Sequence, residues 1–392
     1  MNKKVAFFLL VIVFLVSTYF SYSFFSPENS GGLLSPLGRS DLSTKTGTNN
    51  NHINNNTEDT APKTETCPLN GAKFSKAQRE KWEKRRPLGV MIENHTDARP
   101  QSGLSRADVV YEAVAEGGIT RFLAIFYCQD APYIGPVRSA RIYFIKLLQE
   151  YGDYPLYAHV GGANTPGPAD ALGEIRELGW ANYNDLNQFS VPFPYFWRDY
   201  ERLPNRATEH TVYSSTSKLW QYAAEKRELT NKDEDGNSWD RNFTQWVFID
   251  DDSKNPKGEI KKISFGFWEN FASDYKVDWV YDKQNNQYQR FNGGKVHLDK
   301  NTNKPITAKN VVILFANESQ ANDGYEGGHI LYRLIGRGEA LIFQNGNVIK
   351  SSWKKQDEES RMSFFNADGK EISFIGGPIW IEILPVGNEV SY

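Results

Sequence analysis

The hydrophobic pattern of this chain begins with a long apolar run. Lys3 and Lys4 precede a run from Val5 to about Phe25, which at about 1.5 Å per residue can cross a hydrocarbon core of about 30 Å. The run ends in bulky aromatic residues, whereas a cleaved signal peptide, the alternative, ends in a small-residue site. We therefore predict an uncleaved transmembrane helix over 1–25, with the N-terminus in the cytoplasm and the remaining chain outside.

A polar segment follows the apolar run. Residues 26–66 are rich in Ser, Asn, Thr, Gly and Pro, with the sequence TNNNHINNNTEDT near the centre. Such a composition buries too little apolar surface to offset the entropy lost on ordering. The pattern predicts a disordered linker that holds the folded part away from the membrane.

The next segment, 67–232, combines buried strands with amphipathic helices. Apolar, β-branched and aromatic runs at 87–93, 108–114 and 121–127 are typical of buried strands, with glycine and proline turns between them. Helical spacing occurs at 140–150, 168–178 and 215–227. This alternation predicts an N-terminal α/β layer domain.

The last segment, 239–392, is rich in strand patterns. Aromatic residues alternate in ISFGFW and VDWVYD, and the runs NVVILFA and GEALIFQNG are followed by the hairpin sequence RMSFFNADGKEISFI. The Asn-Gly and Asp-Gly pairs are typical of hairpin turns. We predict a C-terminal antiparallel β-rich domain, and the whole chain is assigned to the α+β class, with α/β as the alternative.

The charge balance restricts the partners. The 392 residues carry a formal net charge of −3, so no overall basic field is present to attract nucleic acid. Any binding of an anion must come from a local cluster of arginines. We therefore expect no nucleic-acid partner.

The two cysteines are Cys67 and Cys128. In a protein outside the cytoplasm, an even and minimal cysteine count favours one disulfide, here between the start of the folded region and a core strand. The alternative is a buried free Cys128 with an incidental Cys67.

Charged residues and histidines recur on the turns between the apolar runs of the N-terminal domain. The candidate ligand-binding residues are Arg99, Asp108, Glu116, Arg121, Arg138, Arg141, His159 and His210. Arg138 and Arg141, in IGPVRSAR, follow a Gly-Pro turn at the start of a predicted helix, where two guanidinium groups and backbone N–H groups can hold one phosphate or carboxylate. The alternative is a pair of surface arginines that are paired with carboxylates.

The histidines and acidic residues leave two interpretations open. His159 precedes Gly161 and Gly162, and either it or His210 can serve as an acid, a base or a ligand donor, or can simply satisfy backbone groups. Nearby carboxylates, including Asp108 and Glu116, can hold Mg²⁺ for a phosphate ligand or neutralise the arginines. The spacing has no His-rich or Cys-rich signature, so no zinc site is predicted.

An aromatic segment between prolines follows the third apolar strand. The sequence FSVPFPYFWRDY can form a platform for sugars or peptide, or a lid over the arginines. The alternative is a proline-stiffened loop packed on the core.

Several motifs together resemble a known family. The stretch RPLGVMIENHTDARPQSGLSRADVVYEAVAEGGITRFLAIF, the motif IGPVRSAR and the C-terminal sequence RMSFFNADGKEISFIGGPIWIEILP are similar to the YerB-like envelope proteins of bacteria. The resemblance implies two domains outside the cytoplasm and no defined activity. Many of those proteins are lipoproteins with an anchoring cysteine, whereas this chain carries an apolar N-terminal run.

A shorter resemblance is to the LytR-CpsA-Psr phosphotransferases, which transfer glycopolymers from a polyprenyl pyrophosphate to the cell wall. Arg106-Ala107-Asp108, Pro136-Val137-Arg138 and His159-Val160-Gly161-Gly162 are similar to their motifs. The resemblance implies that Asp108 helps to hold Mg²⁺ and that Arg138 and Arg141 neutralise the pyrophosphate. Ser139 stands where those enzymes have an aspartate.

These observations lead to two functional hypotheses. The first is a membrane-anchored envelope protein that binds an anionic cell-wall or lipid-linked ligand through its arginines. The second is a Mg²⁺-dependent phosphotransferase that acts on a polyprenyl-pyrophosphate-linked glycopolymer with the same residues.

Overall fold

The computed structural model describes residues 61–251, 257–269 and 272–392. The predicted transmembrane helix over 1–25 and most of the predicted linker lie outside these residues. No helix among the described residues is long and apolar enough to span a membrane.

The chain is rich in strands and has few helices in its described part. The helices are α1 (Lys76–Trp82), α2 (Ile142–Leu148), α3 (Ala171–Glu177), α4 (Thr216–Arg227) and α5 (Ala272–Tyr275). Short 3-10 turns occur at Thr96–Ala98, Leu104–Arg106, Gln149–Tyr151 and Thr208–His210.

The strands fall into two groups along the chain. Those of the N-terminal half are β1 (Lys63–Thr66), β2 (Lys73–Ser75), β3 (Leu88–Glu93), β4 (Val109–Glu116), β5 (Ile119–Phe126), β6 (Leu156–His159), β7 (Asp185–Asn187), β8 (Trp197–Arg198) and β9 (Val212–Tyr213). Those of the C-terminal half are β10 (Phe248–Ile249), β11 (Lys262–Phe265), β12 (Val277–Asp282), β13 (Gln287–Asn292), β14 (Lys295–Val296), β15 (Leu298–Asp299), β16 (Lys304–Pro305), β17 (Thr307–Ala308), β18 (Asn310–Gln320), β19 (Ile330–Arg333), β20 (Gly336–Gln344), β21 (Asn347–Lys355), β22 (Ser363–Phe365), β23 (Phe374–Ile375), β24 (Ile379–Pro385) and β25 (Val390–Ser391).

The predicted elements of the N-terminal half are present. The three apolar runs form β3, β4 and β5, and the three helical patterns form α2, α3 and α4. The Ser215 side chain caps α4 by accepting a hydrogen bond from the Lys218 N–H at 3.3 Å, the usual role of serine at this position. The ordered chain begins earlier than the predicted linker end, because Lys63–Thr66 pairs with β2 and Glu65 binds Arg79 at 2.7 Å.

One large mixed sheet joins the two halves of the chain. Its strand order is β22-β21-β20-β18-β24-β4-β5-β3-β6-β7. The Asn345-Gly346 turn connects β20 to β21 as an antiparallel hairpin, as the sequence predicts. The expectation of a purely antiparallel C-terminal domain is not met, because β24 pairs in parallel with both β18 and β4.

A buried charged network lies where β24 meets β4. Glu382 and Glu112 are opposite each other in the register, and the Arg290 guanidinium from β13 lies between them, with Nη2 bonded to Glu112 and Nε 3.7 Å from Glu382. All three side chains are fully buried. Burial and, next, the charge of Glu112 raise the pKa of Glu382 well above its usual range. The Trp279 indole donates to Glu382 at 2.9 Å.

A second buried network connects helix α2 to the C-terminal half. Glu150 accepts from Lys355 at 3.3 Å, from Arg361 at 3.2 Å and from the Met362 N–H at 2.9 Å. Burial opposes the charge, but the cations Lys355 and Arg361 bring the pKa of Glu150 below its usual value. Tyr111 on β4 also donates to this carboxylate.

The predicted disulfide between Cys67 and Cys128 is present. Next to it lies the fully buried Asp108, which accepts hydrogen bonds from the Tyr127 N–H at 2.7 Å, the Cys128 N–H at 2.9 Å and the Asn70 amide at 3.0 Å. Burial, partly offset by these bonds, raises the pKa of Asp108 to about 7. Asp108 therefore helps to hold the start of the folded region against β5.

Replacement of Arg290 by alanine is expected to lower the free energy of unfolding by about 3–5 kcal/mol, because it leaves Glu112 and Glu382 buried without their cation. Urea denaturation followed by tryptophan fluorescence measures the change. The matched control is Arg337→Ala on an exposed position of β20, which should change this free energy by less than about 0.5 kcal/mol. Equal effects of the two substitutions would contradict the role of Arg290.

Asp108 should make stability depend on pH. Its pKa in the folded protein, about 7, exceeds the value of about 3.9 in an unfolded chain, so the folded state binds the proton more tightly. The stabilising contribution is therefore fully present below about pH 4 and is lost as the pH rises through about 7. Unfolding free energies of the wild type and Asp108→Asn, measured from pH 4 to 8, should diverge across this range, and parallel profiles would refute the assignment.

Candidate functional site

The carboxyl ends of the parallel strands form one edge of the large sheet. Strands β18, β24, β4, β3, β6 and β7 run in the same direction, whereas β5 runs against them. Glu116 ends β4, Glu93 ends β3 and His159 ends β6. In open sheets of this kind ligands bind outside the carboxyl ends of the strands. This edge therefore holds the best-placed polar groups.

The segment that contains IGPVRSAR crosses this edge. The Arg138 N–H donates to the Met91 carbonyl at 2.9 Å, and the Arg138 carbonyl accepts from the Val160 N–H at 3.0 Å. The Ala140 N–H in turn donates to the Gly161 carbonyl at 2.9 Å. The segment is thus held between the ends of β3 and β6, and the backbone alone brings Arg138 and Arg141 to the sheet edge.

Three arginines and two carboxylates meet there, and we name this group the arginine cluster: Arg121, Arg138, Arg141, Glu93 and Glu116. Glu116 pairs with Arg121 at 3.2 Å and, through its other oxygen, with Arg141. Arg121 also donates to the Ser139 carbonyl at 3.2 Å. Burial lowers the pKa of Arg121 and of Arg141, because a charge without water is less stable. The sequence places these arginines on separate turns, and the structure brings them together.

Glu93 is the second carboxylate of the arginine cluster and contacts two cations. Its Oε1 lies 3.1 Å from the Arg138 Nε, and its Oε2 lies 2.9 Å from the His210 Nδ1. The bond to Glu93 raises the pKa of His210. The His210 ring stacks on that of His95, with centroids 4.9 Å apart and an interplanar angle of 12°. His210 thus lies at the predicted site, although it is far from Arg138 in sequence.

His159 lies at the same edge but is already occupied at both ring nitrogens. Its Nδ1 donates to the Gly161 carbonyl at 2.7 Å, and its Nε2 lies 2.6 Å from the Asp185 Oδ1. The ring is fully buried. In this structure, therefore, His159 holds the Gly161 turn against β7 and does not face a ligand.

The structure does not bring Asp108 to the arginine cluster. Asp108 precedes β4, whereas Glu116 ends that strand, so the two lie at opposite edges of the sheet. Both Asp108 oxygens accept hydrogen bonds beside the disulfide. The Mg²⁺ ligand set that the phosphotransferase resemblance implies is therefore not assembled.

Arg99 is also engaged in structural contacts. Its guanidinium donates to the Asn94 carbonyl at 2.9 Å and to the Asp274 carbonyl at 2.7 Å, and it lies 4.9 Å from the centre of the Tyr275 ring. Burial lowers the pKa of Arg99. Arg99 joins the loop after β3 to helix α5 instead of extending the arginine cluster.

Two groups at this edge escaped the sequence analysis. Tyr325, in the loop between β18 and β19, is near enough to act electrostatically on Arg121 and Arg141. His95 and Asp97 follow β3 and adjoin His210. Tyr325 could not be foreseen because its approach depends on the joined sheet, whereas the His-x-Asp sequence just after a strand was a signal that could have been read.

The aromatic segment reaches the same edge. Phe189 is 76% exposed and Phe193 is 79% exposed. The Phe189 ring lies over Gly161, where an added Cβ would come within 3.2 Å of it. Other members of the segment, such as Phe196, are buried. The segment is thus partly a packed loop and partly an exposed aromatic surface beside the arginine cluster.

Cavity size alone points to a different place. A cleft of about 1000 Å³ lies at the β18–β21 end of the sheet, with Arg333, Arg337, Trp353 and Lys354 in its wall. Its three cations are exposed on strand surfaces. We place the candidate site at the arginine cluster, because buried ionisable groups that converge are a stronger sign of a site than volume.

Comparison with known proteins places the chain in a family. The family described as "Protein of unknown function (DUF3048)" matches over 75–230 with its N-terminal domain and over 268–381 with its C-terminal domain. "Putative lipoprotein YerB" of Bacillus subtilis (strain 168) is 35% identical over 328 residues, which cover 83% of this chain and 88% of that protein. The crystal structure of YerB from Bacillus subtilis matches with a TM-score of 0.68 and 32% identity, over 84% of this chain and 100% of that chain. The chain therefore belongs to the YerB-like DUF3048 family, as its motifs predict.

Proposed function

We propose that this protein is anchored at the outer face of the cell membrane and that its arginine cluster binds an anionic group of a cell-wall or lipid-linked ligand. The relative from Bacillus subtilis is named as a lipoprotein, and the apolar run from Val5 to about Phe25 offers a different anchor in this chain. The disulfide Cys67–Cys128 is of the kind that persists outside the cytoplasm.

The observation that carries the proposal is the state of Arg138. Its side chain is 28% exposed and lies 3.1 Å from Glu93 as an ion pair. Among the described residues its guanidinium makes no hydrogen bond, and its Nε is buried without one. A guanidinium presents five donors in a planar fork that matches phosphate and carboxylate. Arg138 is thus the arginine of the cluster that can still take up an anion.

The surroundings of Arg138 favour a negative ligand. The arginine cluster holds three arginines against two carboxylates, an excess of one positive charge before His210 is counted. Because Arg121 and Arg141 are buried, their field is screened less than that of a surface pair. Gly161, with a φ of +58°, keeps side chains away from the backbone beside Arg138 and lets a ligand approach.

The exposed rings of Phe189 and Phe193 support a ligand that has an apolar or sugar part. They lie on the segment that follows β7, and Phe189 contacts the Gly161 turn. Exposed aromatic rings of this kind stack on sugar faces or enter lipid. An anionic headgroup with an attached sugar or lipid would satisfy both surfaces at once.

The phosphotransferase hypothesis has less support. It needs a Mg²⁺ ligand close to the arginines, and Asp108, the residue that the resemblance implies, lies at the opposite edge of the sheet. Ser139 replaces the aspartate of those enzymes. The binding hypothesis requires neither residue.

The test is binding of inorganic pyrophosphate and of undecaprenyl pyrophosphate to the full chain in detergent, measured by isothermal titration calorimetry. Arg138→Ala should weaken binding by about 10–100-fold, the usual effect of losing hydrogen bonds to a charged group. Arg138→Lys keeps the charge but not the fork and should fall between the two. Arg337→Ala, in the separate cleft, is the control and should bind as the wild type does.

The outcomes separate the hypotheses. Tighter binding of the lipid than of pyrophosphate, lost in Arg138→Ala, supports a lipid-linked ligand. Release of phosphate when Mg²⁺ is added would favour the phosphotransferase. Absence of binding by the wild type, or equal binding by Arg138→Ala, would refute the arginine cluster as an anion site.

A further inference from the structure

A second group of polar side chains adjoins the arginine cluster: His95, Asp97 and His210. One nitrogen from each ring and one Asp97 oxygen all lie within 4.8 Å of one another. We propose that these three residues form a binding site for a zinc-type divalent metal ion. This inference does not depend on anion binding by Arg138.

The contact between Glu93 and His210 supports a metal ligand. The His210 Nδ1 lies 2.9 Å from Glu93 Oε2, and a carboxylate accepts, so Nδ1 carries the proton. The Nε2 lone pair is therefore available to a metal. Histidines that bind metals almost always donate their other nitrogen to a carboxylate or carbonyl, which fixes the tautomer and the ring. Glu93 itself is held by Arg138.

The donor set fits zinc better than magnesium or calcium. Two imidazoles and one carboxylate are the ligands of many three-residue zinc sites, which keep a fourth position for water or another ligand. Magnesium and calcium prefer oxygen ligands. In this arrangement the metal would lie close to the arginine cluster, because Glu93 contacts both Arg138 and His210.

The present geometry needs a small movement to close around a metal. The two rings are stacked 4.9 Å apart, whereas ligand distances of about 2.0–2.1 Å require donor atoms about 3.3 Å from each other. His95 can make this movement, because it lies on the turn before Thr96–Ala98 and its side chain is 33% exposed. Either of its nitrogens can serve, since Nδ1 now accepts only a 3.2 Å bond from the Asp97 N–H.

Two cations oppose the metal, and each has a defined partner. Arg206 lies 3.7 Å from the Asp97 carboxylate, so a metal must compete with it for this ligand. Arg138 lies close to His210, but Glu93 stands between their charges. Removal of Arg206 should therefore strengthen metal binding, whereas a merely structural cluster would give no metal binding to strengthen.

The long sequence separation of the two histidines explains why no zinc site was predicted. His95 follows β3 and His210 ends the 3-10 turn Thr208–His210. The hydrogen bond from the Val137 N–H to the Val212 carbonyl at 2.8 Å joins these regions. The site therefore exists only in the folded chain and has no motif of regular spacing.

The experiment is a titration of the full chain, without a polyhistidine tag and in detergent, with Zn²⁺ and separately with Mg²⁺ by isothermal titration calorimetry. We expect one equivalent of Zn²⁺ to bind in preference to Mg²⁺. His95→Ala should weaken Zn²⁺ binding at least tenfold, and Glu93→Gln about 10–100-fold through His210. Arg206→Ala should bind Zn²⁺ several-fold more tightly than the wild type.

The matched control is His329→Ala. His329 also bonds to an aspartate, Asp323, at 2.7 Å and stacks on an aromatic ring, Tyr325, but it lies outside the proposed site, so its loss should leave Zn²⁺ affinity unchanged. Zinc X-ray absorption of the loaded wild type should show two imidazole ligands, and one in His95→Ala.

His95 is partly exposed, so this variant should fold, and its circular dichroism checks that it does. A wild type that binds no Zn²⁺, or a His95→Ala variant with wild-type affinity, overturns the proposal.

Discussion

The parallel pairing of β24 with β4 is the constraint on which the rest of the structure depends. It places Glu382 opposite Glu112 with Arg290 between them, all without solvent. Two buried carboxylates and one arginine are stable only when all three are present, since removal of one leaves an unpaired buried charge. The charged group thus favours this one register, and it makes the two halves of the chain a single sheet.

The single sheet has a direct consequence for the candidate site. Because six strands run in the same direction, residues from both halves meet at one carboxyl edge. Asn94, next to Glu93, shows the connection: its amide donates to Glu112 at 3.1 Å, and its oxygen accepts from Asn292 of β13 at 2.8 Å. The groups that hold the halves together therefore also fix the residues beside the arginine cluster.

Glu93 links the two proposed sites physically. It accepts from His210 and forms an ion pair with Arg138, so a change at one neighbour alters the charge that the other experiences. An anion on Arg138 would release part of Glu93 to His210, and a metal on His210 would draw negative charge from the same carboxylate. Coupling of this kind is reciprocal between binding free energies. It gives the edge of the sheet a means to bind a metal and an anion together.

The amino-acid sequence by itself determined the local features. Apolar runs and turn residues specified β3 to β5, α2 to α4 and the Asn345-Gly346 hairpin, and the cysteine count and compartment indicated the disulfide, because each of these depends on neighbouring residues or on composition. Tertiary structure decided the rest. Arg290 reaches Glu112, and His95 reaches His210, through contacts between distant segments, and it also sent Asp108 to the opposite edge from Arg138. Which side chains meet depends on strand order and direction, and no local pattern encodes these, since the pairing energy is shared among segments far apart in the chain.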